Sequence, residues 1–202
     1  MQKCVIYIHG KGGSAAEAAH YKPLFPNCAV FGLDYHASAP WEAGREIRDA
    51  ILDLAPCFDR ATLIANSVGA FFSMCAGIDT RIRKAYFISP IVDMEKLICE
   101  MMRLANVSEE ELEAKGVVQT ALGEDLSWEY LRYVRTHPVR WNAPTEILYA
   151  GGDTLTTRET ITSFADAHNA SLTIMENGEH WFHTQEQTAF LDAWLRACEA
   201  AG

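Results

Sequence analysis

Six short apolar runs constrain the fold more than any other feature of this sequence. They are Lys3–Ile8, Ala29–Asp34, Ala61–Ala65, Lys84–Ser89, Thr145–Ala150 and Ser171–Met175. Each is continuously apolar instead of alternating. A strand with one wet face alternates with period two, whereas a run apolar on both parities fits a strand covered on both faces, as in a parallel sheet. Parallel neighbours need crossovers, and the intervening segments carry helical patterns. Trp41–Cys57 sets Ile47, Ile51 and Leu54 on one face. Thr157–His168 has Thr157 as N-cap and Asn169 as stop. Thr184–Ala200 opens with Thr184-x-x-Gln187, a capping-box pattern. This alternation predicts an α/β fold with right-handed crossovers.

One stretch breaks the rhythm. Pro90–Pro144 puts about fifty residues where a crossover needs far fewer. It carries three further helical patterns: Met94–Ala105, Ser108–Lys115 opened by Ser108-x-x-Glu111, and Ser127–Arg135. We read a single domain, 1–202, with a helical insertion at about 91–143. The insertion is expected either as a lid over the carboxyl end of the sheet or as an ornamental excursion. Trp128, Tyr130 and Trp141 within it line a pocket or pack lid to core.

The chain is long enough for one compact domain, with 202 residues, 49% of them hydrophobic and 22% charged. Its net charge of −10, without a basic cluster, argues against a nucleic-acid or anionic-membrane surface. No apolar run approaches the ~18 residues that span a bilayer. The first residues lead straight into a strand-like run, with no signal-peptide stretch before it. Cys4, Cys28, Cys57, Cys75, Cys99 and Cys198 lie far apart, several in apolar runs. They read as buried, reduced thiols, and a cytoplasmic location is expected.

Ala65-Asn66-Ser67-Val68-Gly69 joins a strand-like run to a helix-like one. A serine between small residues at such a turn is the pattern of a nucleophile elbow, G-x-S-x-G, here with Ala65 in the first glycine position. The bland reading of Ser67 is a helix-capping serine. Three more features follow predicted strands, at the sheet end where open α/β folds place their sites. His9-Gly10-Lys11-Gly12-Gly13 follows the first run, Gly151-Gly152-Asp153 the fifth, and Gly178-Glu179-His180 the sixth.

With these motifs in this order, the sequence resembles the α/β-hydrolase superfamily over essentially its whole length, as a small serine-esterase-like member. The resemblance implies a three-layer fold and a sheet of order 2-1-3-4-5-6. It also implies a Ser67–His180–Asp153 triad, with backbone N–H groups of Val68 and Lys11 as oxyanion donors and Gly12 as the alternative to Lys11. Asp93 after the fourth strand is the alternate acid, and His183 the alternate base. The chemistry needs these types. A hydroxyl is a weak nucleophile until a base takes its proton, the carboxylate orients that base, and fixed donors hold the oxyanion. The activity implied is cleavage of a small-molecule carboxylic ester or thioester through an acyl-serine. Amide and carbon–carbon cleavage share the same machinery.

His9 reads as a brace for its loop, and Lys11 as a solvated side chain offering its backbone. His180-x-x-His183 lacks further ligands at metal spacing, so neither metal nor organic cofactor is expected. Two rival functions remain. One is a slow-turnover or non-catalytic ligand receptor on the same scaffold. The other is an NAD(P)-binding oxidoreductase, because Gly10-x-Gly12-x-x-Ala15 matches a dinucleotide fingerprint and Asp34 stands where a ribose-binding acid belongs. That rival has no Tyr-x-x-x-Lys pair and leaves Ser67, Asp153 and His180 unexplained.

Overall fold

The computed structural model describes residues 3–121 and 123–200. The chain forms two compact units, Met1–Val92 with Arg140–Gly202, and Asp93–Val139. The first unit begins with β1 (Lys3–Ile8), a 3-10 helix (Ala15–Leu24), β2 (Cys28–Leu33), α1 (Pro40–Leu54), β3 (Ala61–Asn66), α2 (Val68–Cys75) and β4 (Ile82–Ile88). The second holds α3 (Met94–Ala105), α4 (Glu109–Lys115), the two-residue strands β5 (Val117–Val118) and β6 (Leu126–Ser127), and α5 (Trp128–Thr136). The first then resumes with β7 (Thr145–Ala150), α6 (Arg158–Ala167), β8 (Ser171–Met175) and α7 (Gln185–Ala200).

The main sheet runs β2-β1-β3-β4-β7-β8, every pair parallel. Leaving the β5–β6 hairpin out of the count, this is the expected 2-1-3-4-5-6. Continuous apolarity has its anticipated cause. β1, β3, β4 and β7 are buried along most of their length, while the edge strands β2 and β8 are mostly half-buried. Tyr7, Ile64, Tyr86, Ile88 and Leu148 join Tyr21 of the 3-10 helix and Leu191, Trp194 and Leu195 of α7 in one core. The opposite pleat carries Ile6, Ile8, Leu63 and Phe87, all buried. On that side α1 and α2 pack together, with Ile47, Ile51 and Phe72 buried. Trp141 also packs there, its ring 5.4 Å from Phe87. It is a core residue, whereas Trp128 and Tyr130 are half-buried in the second unit.

Differences from the sequence reading have local causes. The helix expected over Trp41–Cys57 stops as an α-helix at Leu54 and continues as a 3-10 turn, Ala55–Cys57. Pro56 supplies no N–H for another α-helical bond. β4 starts two residues early, at Ile82, which pairs with Ala61 across a register shift. β2 stops short of Asp34, whose carboxylate instead accepts from Ala15 N–H at 2.7 Å. Only Cys4 of the six cysteines is buried. Cys57 and Cys99 are exposed, the rest are intermediate, and all six are free thiols.

In the second unit each helix starts on a polar cap. Asp93 accepts from Lys96 N–H, Ser108 from Glu111 N–H and Ser127 from Tyr130 N–H. Arg135 of α5 ties the three helices together, donating to Glu95 at 2.7 Å and to both carboxylate oxygens of Glu109 at 2.5 and 2.9 Å. No helix among the described residues is long and apolar enough to cross a membrane.

Candidate active site

Ser67 sits between the last residue of β3 and the first of α2, with φ 53° and ψ −123°. A non-glycine residue there carries about 1–3 kcal/mol of backbone strain, and surrounding contacts must hold it. Three backbone bonds do so. Ser67 N–H donates to Ile88 O (2.9 Å), while Ser67 O accepts from Ala70 N–H (3.1 Å) and Ile91 N–H (3.2 Å). Gly69 has its own steric reason. A Cβ there would run into the carbonyl oxygen of His9 and stand 3.0 Å from that of Ile8. The helix can therefore start this close to the end of β1 only with glycine. Ala65, fully buried beside Ile8, needs no such relief.

The turns after β7 and β8 bring two partners to this hydroxyl. His180 Nε2 lies 2.8 Å from Ser67 Oγ, and His180 Nδ1 lies 2.7 Å from Asp153 Oδ2. Asp153 is itself fixed, since Oδ1 accepts from Leu155 N–H (2.7 Å) and Thr156 N–H (3.3 Å). The two turns are joined by Gly152 N–H donating to Gly178 O at 2.9 Å. The His180 side chain is 6% exposed and that of Asp153 0%. A carboxylate facing Nδ1 holds the proton on that nitrogen and leaves the Nε2 lone pair for the serine O–H. Trp181 stands edge-on to the imidazole, centroids 5.0 Å apart, and is itself 57% exposed.

Val68 is the first residue of α2, so its N–H has no partner within the helix and sits at the positive end of the dipole. Lys11 and Gly12 are the two corners of a turn closed by Gly13 N–H donating to Gly10 O at 3.2 Å. Gly12 has φ +73°, as the second corner of a type II turn requires. His9 braces this turn. It donates from Nδ1 to Gly10 O (2.8 Å) and stacks on Tyr35 at 4.4 Å, and the Tyr35 hydroxyl donates to His9 O (2.9 Å).

The alternates have other partners. Asp93 is exposed and caps α3 through Lys96 N–H. His183 is 61% exposed and faces Glu179 at 3.3 Å. Asp34, which the dinucleotide reading needs for a ribose, is engaged by Ala15 N–H, with His9 Nε2 at 3.8 Å. Among the described residues, no group of three His, Cys, Asp or Glu side chains is placed to hold a metal ion.

Sequence reasoning missed a second set beside the serine. Tyr7 of β1 donates its hydroxyl to Glu17, and Glu17 also accepts from Ser14 N–H at 3.2 Å. Tyr7 pairs with Ile64 of β3, three residues before Ser67. The readable signal was Ser14-x-x-Glu17, a capping-box spacing at the start of the 3-10 helix.

No protein-family model and no curated protein matches the chain. Solved structures do. Est1E from Butyrivibrio proteoclasticus superposes with a TM-score of 0.77 at 14% identity, over 99% of this chain and 88% of that one. The same protein with ferulic acid bound gives 0.75 at 16% identity, over 98% and 88%. Alpha/beta hydrolase domain-containing protein 10 from mouse gives 0.76 at 14% identity, over 100% and 92%. The fold is that of the α/β-hydrolases. At such identities the likeness concerns architecture, and function has to be argued from the site.

Proposed function

We propose that this α/β-hydrolase-fold chain is a serine hydrolase that cleaves a carboxylic ester or thioester of a small molecule. The observation that carries the reading is the unbroken Ser67–His180–Asp153 chain of contacts, 2.8 and 2.7 Å. His180 Nε2 takes the Ser67 proton as Oγ attacks the substrate carbonyl carbon. Asp153 holds the Nδ1 proton and stabilises the imidazolium that forms. The carbonyl electron pair moves onto oxygen, where Val68 N–H is one donor and Lys11 N–H the other, with Gly12 N–H as its alternative. Collapse expels the alkoxide or thiolate, which takes the proton from His180 and leaves an acyl-serine. Water, deprotonated by His180, then attacks that acyl group. A second tetrahedral collapse frees the acid and returns the proton to Ser67.

Engagement of Asp34 by Ala15 favours this reading over the dinucleotide one. Exchanging Ser67 for alanine tests it. Ser67→Ala is expected to keep the far-ultraviolet circular dichroism and lower p-nitrophenyl ester turnover by roughly 10⁶. A fluorophosphonate adduct should map to Ser67 and vanish in that variant. An alanine variant with normal turnover, or an adduct elsewhere, ends the proposal.

A further inference from the structure

We infer that Glu17 is a positioning residue that pins the Gly10–Ser14 turn to the base of the serine. Its carboxylate makes two different bonds. Oε1 accepts from Ser14 N–H at 3.2 Å, directly after the turn, and Oε2 accepts from the Tyr7 hydroxyl. Oε1 also lies over the turn itself, since a Cβ on Gly13 would stand 2.6 Å from it. Tyr7 is 1% exposed and anchored in the core beside Tyr21, ring centroids 5.1 Å apart.

The second half of the chain of contacts runs to the serine. Tyr7 pairs with Ile64 of β3, the strand that ends at Asn66, immediately before Ser67. The Tyr7 hydroxyl donates to Glu17. Burial, then the neighbouring Tyr21, then the bond to Glu17 push the Tyr7 hydroxyl far above its ordinary range, so this donor keeps its proton. His9 and Tyr35 hold the other flank of the same turn. Glu17 is exposed and is in neither bond with the Ser67 hydroxyl or the imidazole. Its effect passes through where the Lys11 and Gly12 N–H groups stand relative to Val68 N–H.

The catalytic consequence rests on the ester-cleavage reading, while the pinning does not. Two readouts therefore run together on wild type, Glu17→Gln, Tyr7→Phe and the double variant. Glutamine keeps the size but offers one acceptor oxygen where two are used. Hydrogen–deuterium exchange should quicken in the peptide covering Lys11–Ser14 of Glu17→Gln and stay unchanged in the central strands. Turnover of a p-nitrophenyl ester should fall in kcat by about 10- to 100-fold, with KM within about twofold. The double variant should be no worse than the poorer single one, because both break one chain of bonds.

Wild-type exchange in that peptide overturns the inference. So does faster exchange with wild-type kcat, or additive losses in the double variant. A wild type inert to every ester would end the hydrolase reading, and the exchange arm would still decide whether Glu17 holds the turn. Should Glu17→Gln fail to fold, Tyr7→Phe removes only the hydroxyl and carries both readouts.

Discussion

At Ser67 the backbone strain has a local origin. The positive φ there ends β3 and lets α2 begin at once, with Val68 N–H at the head of the helix. What makes that geometry possible is the absence of a side chain at Gly69. A methyl group there must displace either α2 or the end of β1, whose carbonyls belong to the braced His9 loop. Gly69→Ala is accordingly expected to cost about 1–3 kcal/mol, the range for overpacking a filled interior. A chemical-denaturation midpoint measures this directly, and a midpoint equal to wild type would contradict the close approach. Ser67, Asp153 and His180 were each readable because each lies in a short local motif at a strand end. Tyr7 and Glu17 were not. In the sequence Tyr7 is one more apolar strand residue, and only folding brings its hydroxyl to a carboxylate ten positions away.

Among the elements, those legible in advance were the ones whose burial pattern matches their period. α1 buries Ala43, Ile47 and Ile51 at helical spacing, and the central strands bury both parities. The β5–β6 hairpin escaped notice because a pair of two-residue strands has too few positions to show any period. Its Gly116 and Gly123, both at positive φ, were the available turn signals. Cap chemistry was fully local and therefore readable. Thr184 N–H donates to Gln187 Oε1 (3.5 Å) while Gln187 N–H donates to Thr184 Oγ1 (3.2 Å), the reciprocal pair expected at the start of α7. α7 packs Leu191, Trp194 and Leu195 into the sheet, so a frayed first turn loosens part of the core. Thr184→Ala should lower stability by about 1 kcal/mol and the melting temperature by about 2–4 °C. An unchanged melting curve would show the box to be ornamental.

For the whole molecule, two thiols, buried Cys4 and half-buried Cys75, help set an upper limit on pH. Burial foremost, then the nearby Cys28 and Cys57, pushes Cys4 from its ordinary value of 9.0 to about 11. Burial alone pushes Cys75 to about 12. The unfolded chain therefore releases these protons first. Above about pH 9 it binds fewer protons than the folded chain, so stability present below that pH is lost as pH rises through 11 to 12. Melting temperatures should hold level up to about pH 9 and decline beyond it. Burial also pushes the Tyr7, Tyr21, Tyr35 and Tyr86 hydroxyls above their ordinary value of 10.0. Replacing Cys4 and Cys75 by alanine should therefore flatten the decline between about pH 9 and 10 and leave it above that. An equally steep fall from about pH 9 in the double variant would assign it to other groups. The link between Ser67 and His180 spans 113 residues of chain, and that between His180 and Asp153 spans 27. Contacts so distant along the polypeptide come at a high entropic cost of loop closure, and such topologies assemble slowly. A half-collapsed chain thus leaves the Ser67 hydroxyl, the His180 imidazole and the Asp153 carboxylate apart. On the ester-cleavage proposal, reactivity arrives only once both long-range closures are made, so a nascent or damaged copy has no chemistry to misdirect.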